Sequence, residues 1–157
     1  MNTTAEKVAD ELADYLRDAF GRRGDVEVFT APDPATGLEL LAGGRPKGFS
    51  VVVFYDGDEP ADEAGPAGDT LVSARLTVGV AGHPGLSAPE TRKAPGALAF
   101  SGEVRAAVCM AEPEGVFGGY EYRGMSQVRD MEGAVMRGYA LSFAATYAFA
   151  IPESEEW

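Results

Sequence analysis

The chain has 157 residues, enough for one ordinary domain, and carries 13 Lys and Arg against 25 Asp and Glu, a formal net charge of −12. That charge repels phosphate backbones and argues against direct sequence-specific nucleic-acid binding, and no apolar run reaches the roughly 18–20 residues of a membrane span. One cysteine, Cys109, and one histidine, His83, exclude an intrachain disulfide, a cysteine-based zinc site and any site that needs two imidazoles. Hydrophobic residues at 45% and charged residues at 24% fit a globular domain rather than an acidic disordered tail. The polar start shows no charged region followed by an apolar one, so a soluble, intracellular product without a signal peptide is expected.

The first 20 residues predict an amphipathic helix. Thr3 with Glu6 fits a capping box, and Ala5, Val8, Leu12, Tyr15, Leu16 and Ala19 recur at helical spacing before Gly21. Val26–Thr30 reads as a short strand, followed by turn-rich sequence with a second short strand at Leu38–Leu41. Phe49–Tyr55 is a valine-rich apolar run, the pattern of a central buried strand. Asp56–Asp69 reads as a loop with six acids and no base. Across Thr70–Ala81 apolar and polar residues alternate, which predicts a half-buried antiparallel strand.

A second irregular stretch, Gly82–Gly96, precedes a helix at Ala97–Ala111 with Leu98, Val104, Ala107, Val108 and Ala111 on its apolar side. The last segment predicts a hairpin: Tyr120–Met131, a turn at Glu132-Gly133, and Val135–Ile151. In its second arm Tyr139, Leu141, Phe143, Tyr147, Phe149 and Ile151 share one face, and Ala140, Ser142, Ala144, Thr146, Ala148 and Ala150 the other. The bulky face fills a core, and the small face lets a helix or another subunit approach closely. An acidic tail, residues 152–157, ends in Trp157. The whole reads as a single α+β domain over 1–157, two helices packed on one mostly antiparallel sheet, with 56–69 and 82–96 as insertions.

No catalytic pattern emerges. Asp56, Asp58 and Glu59 gather carboxylates that hard cations prefer, but the spacing is not that of an EF-hand, and a solvated loop accounts for them. His83 lies beside Pro84 and Gly85 in turn chemistry. Cys109 falls near a helix C-terminus, where the dipole disfavours a thiolate. Gly115, Gly118 and Gly119 follow a helix instead of opening one, so they do not cradle phosphate. The aromatic residues lack the interleaved bases of a stacking surface. No metal, cofactor or catalytic residue is assigned. The candidate interface residues are Asp56, Asp58, Glu59, Ala144 and Trp157, an apolar anchor that follows three glutamates.

The N-terminal helix, the short strand, the buried "FSVVVFY" strand, the long alternating strand, the mid-chain helix and the terminal "RGYALSFAATYAF" strand together resemble the tail-terminator (tail-completion) proteins of tailed phages and phage-like particles. The resemblance spans nearly the whole chain and is one of element order and texture; the two irregular insertions have no counterpart in it. It implies a non-enzymatic virion protein, a hexameric ring that caps the tail tube and joins it to the head or neck. Its partners would be further copies of itself and tail-tube and neck proteins, and its place the virion after assembly in the host cytoplasm. The alternatives are another neck, connector or baseplate component, or a small-molecule-binding or enzymatic α+β domain with a pocket between helices and sheet.

Overall fold

Strand β1 (Asn2–Thr3) leads into helix α1 (Ala5–Phe20), where Val8, Leu12, Leu16 and Phe20 recur every fourth residue and, with Ala9 and Ala13, make the buried stripe. The computed structural model describes residues 2–33, 35–37, 48–61, 70–82, 96–128 and 137–149. The helix cap is Thr4, whose hydroxyl accepts from the Lys7 N–H at 3.2 Å. The expected cap, Thr3, is instead drawn into β1, where its backbone pairs with Phe149. The helix runs on into a 3-10 turn (Gly21–Arg23) and ends at Gly24, whose φ of +74° suits glycine.

The remaining elements are β2 (Val26–Ala31), β3 (Phe49–Pro60), β4 (Leu71–Gly82), helix α2 (Ala97–Met110), β5 (Phe117–Val128) and β6 (Arg137–Phe149). The strands form one mixed sheet in the order β2-β3-β4-β6. The far side of β6 is shared by β5 along most of its length and β1 at its end. Two pairings, β2–β3 and β1–β6, are parallel and the rest antiparallel. The α+β architecture expected from the sequence is therefore present, with both helices on one face of the sheet. Gly48 immediately precedes β3: its φ of +139° and a 2.3 Å approach of any Cβ to the Asp25 carbonyl leave room for glycine alone. That approach lets the Phe49 N–H reach the Asp25 carbonyl at 2.7 Å.

Three further expectations are corrected. Residues 56–60, read as the start of a loop, continue β3 past a bulge between Tyr55 and Asp58, and the Ala61 N–H donates to the Leu71 carbonyl at 3.0 Å. Solvent-facing acids at a strand end cost little, and the backbone gains its ladder bonds. Leu98 is 57% exposed; the buried side of α2 is Ala97, Phe100, Ser101, Val104 and Val108, which keeps the three- and four-residue spacing that Leu98 breaks. The first hairpin arm begins earlier than Tyr120, at Phe117, and its expected end at Met131 lies outside the described residues. Finally, α1 lies over β2 and β3, while α2 covers β4, β5 and β6. The bulky face of β6 therefore sits chiefly under α2, because β6 is two strands removed from β3. All of these elements still share one core, in which Phe100 stacks on Phe49 at 4.3 Å and meets Phe20 edge-on at 5.2 Å. The expected strand Leu38–Leu41, residues 62–69 and 83–95 with His83, the turn Glu132-Gly133 and the tail with Trp157 lie outside the described residues.

Candidate interface on the open face of the sheet

Along β6, Leu141, Phe143, Ala145 and Tyr147 are buried toward the helices. The alternate residues Ala140, Ser142, Ala144 and Thr146 face the other way and are partly exposed. Register extends this small face to both neighbours. Ala144 lies between Arg75 of β4 and Glu121 of β5, and Ser142 between Thr77 and Gly124. The result is a depression of about 240 Å³ walled by Asp58, Glu59, Ser73, Arg75, Arg123 and Ala144. Two larger, more open hollows continue from it, of about 520 Å³ toward Phe54, Asp56 and Ser126 and about 840 Å³ toward Pro60, Leu71 and Phe117. Arg123 borders all three. Near β3 the same face is closed: Ala31, Val52, Phe54 and Ala81 form a second, smaller buried cluster, against which Gly37 packs.

Two bulges decide which charges reach this face. In β3 the bulge around Gly57, φ +103°, resets the alternation, so that Asp56 borders the open side and Asp58 pairs with core-facing Ala74. The Tyr55 hydroxyl donates to the Asp58 carboxylate, and the Tyr55 and Tyr147 hydroxyls share a hydrogen bond at 2.9 Å. Burial first, and then the bonds to Asp58 and Tyr147, push the Tyr55 hydroxyl well above the ordinary tyrosine range. Burial also raises Tyr147, against the opposing effect of its hydrogen bond with Tyr55. All three carboxylates therefore border the hollowed face, and Asp58 in addition ties the strand end to Tyr55. In β5 the second bulge, between Tyr122 and Gly124, leaves Arg123 without a partner residue on β6 and sets it beside Glu121, with an ion pair at 3.3 Å.

Of the candidate interface residues, Asp56, Asp58, Glu59 and Ala144 come together around this hollowed face, and Trp157 lies outside the described residues. Sequence reasoning missed Arg75, Arg123, Tyr55 and Tyr147. The alternation Ser73-Arg75-Thr77 could have placed Arg75 opposite the small face; Arg123 had no such signal, since a bulge put it there. Among the described residues, no three of His, Cys, Asp and Glu gather as metal ligands, and no helix is long and apolar enough to cross a membrane. Cys109 is exposed on α2.

No family model matches the chain, and no curated protein matches it. Among solved structures, it is similar to a chain described as "Virion of native gene transfer agent (GTA) particle", at 20% identity over 87% of this chain and 84% of that one, with a TM-score of 0.45.

Proposed function

We propose that the protein is a non-enzymatic structural component of a phage-like tail, a tail terminator that forms a ring on the tail tube and joins it to the neck. The open sheet face carries this reading. A sheet with helices on one side and small residues on the other offers two different surfaces, which is what a head-to-tail contact around a ring requires. Element order and strand texture, from "FSVVVFY" to "RGYALSFAATYAF", support the same assignment. The centre of the space between helices and sheet, where a small-molecule site would be expected, is filled by fully buried Phe49, Phe100, Phe143, Leu12, Leu16 and Leu141, and the hollows left beside α1 lie at the β2 edge. The partners would be further copies, tail-tube and neck proteins, and the location the assembled virion.

Light scattering, native mass spectrometry and negative-stain microscopy test this reading, alone and with a tail-tube protein. Rings are expected, weakened by Ala144→Leu. A strict monomer under all these conditions whose thermal midpoint rises with a metabolite would sink it.

A further inference from the structure

The sheet has two outer edges, and they are treated differently. At β2 the edge is guarded: the Arg17 Nε–H donates to the Val28 carbonyl at 3.3 Å, and Asp14 holds the guanidinium at 2.8 Å. At β5, 12 residues pair only with β6 among the described residues, in a ladder that shifts register between Phe117 and Glu121 and again between Tyr122 and Gly124, and no second strand among those residues pairs with its outward side. Although the chain carries −12, β5 holds one acid and one base, Glu121 and Arg123, two residues apart and both beside the open face. Phe117 and Met125, 40% and 37% exposed, flank them.

We propose that β5 is a self-pairing edge, on which two copies join their sheets antiparallel with the register centred on Tyr122. Antiparallel self-pairing places each residue opposite the one equally far beyond the centre. Glu121 then faces Arg123 of the partner subunit, and Arg123 faces Glu121 of the partner subunit. Parallel pairing in register would instead set Glu121 against Glu121 of the partner subunit. The charge pattern selects the antiparallel arrangement, because opposite charges across strands stabilise and like charges destabilise. The occupant is a second copy of this chain, since the edge is complementary to itself. This contact goes beyond the proposed ring and does not depend on it.

Sedimentation velocity on the full chain, over a concentration series, tests the pairing with Glu121→Arg and Arg123→Glu. Each single reversal places like charges face to face twice and should raise the dimer Kd about tenfold or more. One variant's edge is then all basic and the other's all acidic, so mixing the two should restore dimers to within about threefold of wild type. Circular dichroism on each variant confirms that the fold is retained. A monomeric wild type, single reversals that leave the Kd unchanged, or a mixture that stays monomeric would each overturn the proposal. Rings that persist in both single variants together with an unchanged dimer Kd overturn the edge pairing and leave the ring standing; dimers weakened by each reversal and restored by mixing, with no ring in any sample, do the reverse.

Discussion

Phe143 and Ala144 are adjacent on β6 yet face opposite sides, and substituting them one at a time separates folding from assembly. Phe143 is 0% exposed, lies opposite Leu76 of β4 and Tyr122 of β5, and its ring meets Tyr122 at 5.6 Å. Truncation to Ala deletes a whole aromatic ring from under α2. The neighbours that would have to collapse into the gap are held by strand ladders on both sides, so the cavity stays largely open. The cost is then about 3–5 kcal/mol. For a domain whose total stability is about 5–15 kcal/mol, that is a large share. Urea denaturation followed by circular dichroism should show a lower midpoint at unchanged slope. Ala144→Leu adds its bulk on the open face between Arg75 and Glu121, where nothing in the same subunit has to move. It should leave the subunit midpoint within about 0.5 kcal/mol and weaken assembly instead. A loss of under about 1 kcal/mol for Phe143→Ala, or equal losses for both variants, would refute the division into a core face and an open face.

Tyr120 is buried, and its hydroxyl finds no hydrogen-bond partner among the described residues. Tyr120→Phe should therefore be neutral or stabilise by about 1 kcal/mol, read from the same urea curves, and a clear loss would point to a partner for the hydroxyl. Burial, with the nearby Glu11 charge, also holds this hydroxyl above the ordinary tyrosine range, as burial and hydrogen bonding do at Tyr55. Above about pH 10 the unfolded chain releases these protons while the folded chain keeps them, so stability is fully present below that pH and falls as pH rises beyond it. Urea midpoints should drop between about pH 9 and pH 11, and less steeply in Tyr120→Phe; a midpoint that stayed level or rose would contradict the buried tyrosine environments.

The amino-acid sequence by itself determined the helix stripe of α1, the buried run of β3, the alternation of β4 and the two unlike faces of β6. Each is a local periodicity, 3.6 residues for helix or two for strand, and one segment carries it without knowledge of its neighbours. The tertiary structure alone decided which helix covers which strand, since that depends on the strand order and not on any one segment. It also decided where the charges of the open face stand. The bulge at Gly57 resets the alternation of β3 and turns Asp58 to Tyr55, and the bulge at Arg123 brings that side chain onto the face of Ala144. A bulge is one extra residue whose position is set by pairing across strands, so a partner strand must be in place before the shift exists. Periodicity within one strand therefore places the small residues of this surface, and pairing between strands places its charges.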